Sequence, residues 1–315
     1  MPKENQHWVP KFLVKNFADA DGRVFCLNIK TDEITRLPPK RAASSVGFNE
    51  FYIGGEAVSF EDKLEKLETQ AAPILKRMVN SRSVVGLTEK QRNRVADFMA
   101  AQSFRTDAFY KGMELGLSRG QFGPVFAELW RSVSLMSAEI ARRPWTIMVI
   151  DDDNVFYLGD HPMVLQLTEN PGAAAELGFD IQGIEAFLPL TPKCALYMPC
   201  VSIGREIVLG YENALSVLRD STVASTNPQL RPLAERLIRN TKPLYRALTA
   251  GVALVATAEN VENLNSLQCY WAHTAVYSNR PDFAFAQRVF RDSPQYRKAL
   301  KTRIVTWGRQ GPPSA

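Results

Sequence analysis

Between residues 59 and 143 the apolar positions recur every three or four residues, a spacing that lays them along one side of an α-helix. Three helices follow from it. Residues 59–79 carry Leu64, Leu67, Ala71 and Leu75, residues 89–113 carry Val95, Phe98, Phe109 and Met113, and residues 124–143 carry Phe126, Leu129, Trp130, Val133 and Ile140. Ser59, with Asp62 three residues on, approximates a capping box, and Thr88 caps the second helix. Pro73 is expected to kink or split the first helix, and Pro144 ends the third. Gly112, Gly116, Gly120 and Gly123 loosen the connection between the second and the third.

On either side of this layer the period shortens. A short helix begun at Pro10 carries Phe12 and Phe17, with Trp8 just before it. Alternating segments at 23–29 and 33–37 then form a hairpin around Lys30-Thr31-Asp32, and 51–53 is a further strand. After Pro144, strands are expected at 145–150, 155–158, 163–167, 188–190 and 195–198, with turn chemistry at Asp151-Asp152-Asp153-Asn154. Residues 206–250 read as helices broken at Asn240-Thr241-Lys242-Pro243, and 252–257 reads as a buried strand or the lead-in to a helix over 258–277. The tail from Gly311 should fray. The pattern predicts an α+β fold, a helical layer packed against a mostly antiparallel sheet, in one domain over 1–315. Within it, 1–58 is a mixed segment with a β-hairpin, 59–143 the helical layer, and 144–310 β-rich and then helical.

Two polar side chains interrupt the apolar side of the second helix. Gln102 and Arg105 fall on the face of Val95 and Phe98, and an unpaired guanidinium in a core costs several kcal/mol. On the preceding helix, Glu61 and Glu68 are seven residues apart and point within roughly 20° of each other. A Glu68–Arg105 bridge with Gln102 beside it is therefore expected, either as a structural ion pair or as part of a polar site.

The 38 Lys and Arg against 33 Asp and Glu give a net charge of +5, which permits an anionic small molecule or nucleic acid as partner without requiring one. Lys40-Arg41, Lys76-Arg77 and Arg142-Arg143 are isolated pairs and make no basic run. Cys26, Cys194, Cys200 and Cys269 are scattered, form no C-x-x-C pair, and read as free thiols. With no secretory core at the start and no apolar stretch of about 18 residues, a cytoplasmic, non-membrane protein is expected. The sequence names no cofactor and no metal set, and it leaves the oligomeric state open. There is no G-x-S-x-G elbow, Walker loop, G-x-G-x-x-G or H-E-x-x-H.

Several segments carry a family likeness in order: Gln6-His7-Trp8-Val9-Pro10 with Leu13 and Asn16-Phe17, Phe51-Tyr52, Gln102 to Thr106, Gly159-Asp160-His161-Pro162, Leu188-Pro189-Leu190-Thr191-Pro192, Leu264-Asn265, and Ala275-Val276-Tyr277-Ser278. Together the chain resembles the bacterial family called domain of unknown function 4238. That resemblance implies one shared architecture and brings no established activity. At Gly159 and His161 the chain departs from the family's Ser-Asp-Asn-Pro, so no role of a hydroxyl or amide there carries over.

The candidate catalytic residues are His7, Glu68, Gln102, Arg105 and Asp160. His7 is one of three histidines, and an imidazole titrates near neutral pH, so it is the natural acid or base, although a lone histidine more often serves packing. Asp160 sits at a strand end, where it either serves a site or makes a local turn before His161-Pro162. Asn265, Gln268 and His273 line the same cavity or cover its outer side. The acidic turn at 151–154 lacks the glycine and distal glutamate of an EF-hand and reads as solvated. Two functions compete. One is hydrolase-like acid/base chemistry on a phosphate-containing or nucleic-acid substrate. The other is a non-catalytic binding or interaction module of a bacterial stress or phage-defence system.

Overall fold

The computed structural model describes residues 5–53, 56–116, 119–168, 179, 181–220, 227 and 229–298. The fold is α+β. The N-terminal part runs β1 (Gln6–His7), α1 (Lys11–Lys15), β2 (Val24–Asn28), β3 (Ile34–Leu37), β4 (Ser44–Ser45), β5 (Glu50–Ile53) and β6 (Glu56–Ser59). The helical layer is α2 (Glu61–Ser81), α3 (Glu89–Phe104), α4 (Asp107–Gly116) and α5 (Arg119–Arg142). Then come β7 (Thr146–Val149), β8 (Leu158–Gly159), β9 (Val164–Leu167), β10 (Ile184–Thr191) and β11 (Cys194–Met198). The order closes with α6 (Val201–Arg219), α7 (Leu230–Ala250), β12 (Leu254–Val255), α8 (Ala258–Trp271), β13 (Ala275–Ser278) and α9 (Ala284–Asp292).

Two main sheets replace the single expected one. A five-stranded sheet has the order β12-β7-β11-β10-β9, antiparallel except for the parallel β12–β7 pair. A four-stranded antiparallel sheet has the order β3-β2-β13-β8. The apolar run 145–150 is explained by burial on both faces. Ile147 and Val149 enter the core shared with α2, α3 and α5, whereas Met148 and Ile150 pack with Val261 and Leu264 of α8. Leu27, Val276, Phe283 and Phe290 form a third cluster between the four-stranded sheet and α9.

The hairpin around Lys30-Thr31-Asp32 is present, Asp32 supplying a positive φ of 58°. Thr88 makes a complete capping box with Gln91. Ser59, by contrast, ends strand β6, the N-cap is Phe60 with no side-chain cap bond, and the expected capping box does not form. Pro73 and Pro243 both lie inside unbroken helices, so neither the split at 73 nor the break at 240–243 occurs; the 206–250 segment divides instead between α6 and α7. The third helix begins at Arg119, ahead of Pro124. The helix expected over 258–277 stops at Trp271, because 275–278 is β13 in the centre of a sheet. The tail from Gly311 and the side chain of Met113 lie outside the described residues.

The segment 155–158 was expected as a strand returning beside 145–150. Only Leu158–Gly159 is strand, and it pairs with β13 in the other sheet. On both sides of it the backbone is held by two side-chain amides of α8. Asn265 accepts from Tyr157 N at 2.7 Å and donates to Val155 O at 2.9 Å, and Gln268 accepts from Gly159 N at 2.7 Å and donates to Pro162 O at 3.0 Å. Spaced three apart on one helix face, they act as an artificial strand edge. This requires close approach, since a Cβ at Gly159 would meet Gln268 O and Oε1 at 3.0 Å each. Gly159→Ala should therefore lower stability by about 1–3 kcal/mol, read as a drop in Tm; an unchanged melting curve would contradict this packing.

Candidate functional site

The helix expected to run from 89 to 113 is broken at Arg105, which has φ −95° and ψ 58°. Its carbonyl, which an unbroken helix would offer to Phe109 N, instead accepts from Gln102 Nε2 at 3.3 Å. Phe109 N turns to Thr106 Oγ1 at 3.2 Å, and Tyr110 N bonds Thr106 O, so Thr106 caps the restart of the helix at Asp107. The phase linking Arg105 to Phe109 is thus lost, although Gln102 and Phe98 remain together on the buried face of α3. Thr106-Asp107 was the overlooked signal: a capping residue followed by an acidic first turn.

Arg105 points inward and is 2% exposed. Its guanidinium pairs with the carboxylate of Glu68 on α2, itself one-fifth exposed, as the two-helix geometry led us to expect. Gln102, also 2% exposed, donates from Nε2 to Trp8 O at 2.7 Å, tying the N-terminal strand to α3. Three atoms of this cluster have no hydrogen-bond partner among the described residues: Gln102 Oε1, Arg105 Nε and Trp8 Nε1. Buried polar atoms are paired in the large majority of cases, so three within contacting residues mark the cluster as unusual.

His7, half-buried in β1, sits at Nε2 3.4 Å from Pro39 O. Burial lowers its pKa, the bond to Pro39 opposes this, and the charges of Arg105 and Lys11 add to the lowering. The ring is therefore neutral at pH 7. A backbone hydrogen bond to Asn5 also opposes the lowering.

Glu61 takes a different partner from Glu68. It accepts from Asn49 Nδ2 at 2.6 Å, Asn49 N donates to Gln6 Oε1 at 2.6 Å, and Tyr110 Oη donates to Asn49 Oδ1 at 3.3 Å. Burial, with Glu61 nearby, pushes the Tyr110 hydroxyl far above its ordinary pKa, against the pull of Arg105. Gln6, Asn49 and Tyr110 were missed because they come from separate segments, and no spacing connects them.

Asp160 stands apart. It is 2% exposed, Oδ1 accepts from His273 N at 2.8 Å, and Oδ2 accepts from Thr274 N at 2.6 Å and Ala275 N at 3.1 Å. No hydrogen bond or ion pair joins it to His7, Glu68, Gln102 or Arg105 among the described residues. Asp107, at the start of α4, connects the two regions by accepting from Thr274 Oγ1 at 3.2 Å and lying 3.8 Å from His273 Nε2. His273 lies beyond the end of α8, while Asn265 and Gln268 hold the backbone between Val155 and Pro162.

The acidic turn is a solvated turn: Asp152 accepts from Asn154 N at 2.8 Å and from its side chain at 2.9 Å, and Asp151 pairs with Arg82 at 3.2 Å. Among the described residues no three His, Cys, Asp or Glu side chains gather as a metal cage would require. All four cysteines are free. A cavity of about 650 Å³ lies elsewhere, at the start of α6, lined in part by Arg143, Phe179, Cys200, Ser202 and Arg205. Burial raises the Cys200 thiol, but hydrogen bonds from Ser202 and Gly183 and the charge of Arg143 outweigh it and leave the pKa lowered. None of the five candidate residues lines that cavity. No described helix is long and apolar enough to cross a membrane.

Fold and cluster together define an α+β protein whose helices are registered by buried polar side chains. The chain belongs to the family described as Protein of unknown function (DUF4238), whose model matches residues 5–122 and 131–282. Neither a curated protein nor a solved structure matches it.

Burial raises the Asp160 carboxyl to about 6, against the three backbone N–H donors, with Asp107 adding to the rise. A folded pKa above the unfolded one means that its contribution to stability is complete below about 4 and is lost as pH climbs through about 6. The stability of the wild type relative to Asp160→Asn should therefore fall between pH 4 and pH 7, by on the order of 3 kcal/mol at most. Urea unfolding at several pH values measures this, and a difference that grows with pH would contradict it.

Proposed function

We propose that the chain is a single-domain, cytoplasmic binding or interaction module whose polar cluster is structural. The observation that carries this reading is the separate engagement of every candidate catalytic group. Glu68 is held by Arg105, His7 by Pro39 O, and Asp160 by the amides of 273–275. General acid/base catalysis needs an imidazole or carboxylate within reach of a shared substrate atom. Here Gln102, Arg105 and Asp160 are each 2% exposed. Four free thiols support the cytoplasmic placement, where such thiols stay reduced.

A second reading, hydrolase-like chemistry on a phosphate-containing or nucleic-acid substrate, is favoured by one specific observation. His7 precedes Trp8 and lies within reach of the charge of Arg105, and buried atoms of Trp8, Gln102 and Arg105 have no hydrogen-bond partner among the described residues. The two readings separate in one assay. Wild type and His7→Ala are incubated with an aryl phosphate monoester, an aryl phosphodiester and labelled oligonucleotides. The binding-module reading expects no turnover by the wild type above the His7→Ala background. Turnover lost in His7→Ala with an unchanged Tm would overturn it.

A further inference from the structure

Helix α7 carries five cations, Arg231, Arg236, Arg239, Lys242 and Arg246, against one carboxylate, Glu235. At about 100° per residue, Arg231, Arg239, Lys242 and Arg246 fall within roughly 80° of arc, with Arg236 roughly 60° beyond. All five are exposed. The side bordering this arc is the packing side. Ala234 is buried there, Ile238, Thr241 and Leu248 are half-buried, and the Tyr245 ring stacks on Tyr211 of α6 at 4.0 Å. Arg231 shares its charge with Glu235 at 3.3 Å. Among the described residues, Arg236, Arg239, Lys242 and Arg246 have no carboxylate within ion-pair distance.

A helix face with this much uncompensated charge repels itself and is stabilised by an anionic partner. The partner must be extended, since Arg231 and Arg246 are separated by about 22 Å along the axis, several times the size of one small anion. Four of the five cations are arginines, whose fork of donors matches phosphate oxygens. A membrane surface fits less well. An interfacial helix inserts the apolar side bordering its cations, and here that side is packed on α6, while the exposed Leu233 and Leu237 lie more than about 100° from the centre of the cationic arc.

We propose that this face of α7 binds the phosphate backbone of a nucleic acid. The inference deepens the binding-module reading by naming its partner, and it rests on that reading. The cations are invisible as a run in the sequence because they are spaced by three to five residues, a pattern that only a helix gathers.

The test is fluorescence anisotropy of the full chain with labelled duplex DNA and duplex RNA over a range of salt. Its variants are Arg239→Glu/Lys242→Glu/Arg246→Glu, the same positions changed to Gln, and a control with Lys15, Lys30 and Lys90 changed to Glu. Wild type and control should bind at least one probe. The Glu variant should bind about tenfold or more weakly, with the slope of log K against log salt shallower by about 3, one per lost phosphate contact. The Gln variant, which keeps the helix without charge reversal, should fall between. Equal weakening in the control, or no binding of either probe by the wild type, would overturn the proposal. So would wild-type binding to phosphatidylserine vesicles without nucleic-acid binding. Recovering the probe afterwards distinguishes the two readings: a cleaved probe with α7-dependent affinity keeps the contact and overturns the non-catalytic reading.

Discussion

A guanidinium placed at the break between two helices must be neutralised or the break cannot exist in a core. Arg105 is that group, and Glu68 neutralises it from the neighbouring helix. The pair fixes α2 against the α3–α4 corner, and Gln102 uses the same corner to hold the carbonyls of Arg105 and Trp8. Three segments distant in sequence, the N-terminal strand, α2 and α3, are thereby set in register at one point. Buried pairs of this kind add less net stability than apolar packing would, but losing one partner strands the other charge.

The same device recurs across the fold. Side-chain amides stand in for missing backbone ladders: Gln102 at the helix break, Gln6 at the backbone N–H of Asn49, and Asn265 with Gln268 along the segment leading through β8. Asp160 completes the set with an acid in place of an amide, gathering three N–H groups from the turn before β13 and its first residue. Each satisfies backbone groups that irregular structure would otherwise leave buried and unpaired. Irregular chain is thereby admitted between the two sheets.

Local chemistry was legible and long-range pairing was not. The Thr88 cap, the β2–β3 hairpin and the apolar strand within 145–150 follow from short-range residue types. The Glu68–Arg105 bridge was legible because a charge on an apolar helix face demands a partner. Asp160 was misgrouped, since sequence showed a carboxylate at a strand end but not the amides of 273–275 that occupy it. Both internal prolines were over-weighted, because tertiary packing carries α2 and α7 through them. The helix over 258–277 was over-extended because the switch to strand at Ala275 is imposed by pairing with β2 and β8, partners far away in the chain.

The most direct measurement is a double-mutant cycle on Glu68→Gln and Arg105→Met, with stability read by urea unfolding. If the pair sets the register of the helices, each single change costs about 2–4 kcal/mol, discounted for the partial exposure of Glu68. The double variant then loses less than the sum, by a coupling of about 1.5–3 kcal/mol. Additive losses, with coupling within about 0.5 kcal/mol of zero, would contradict the account.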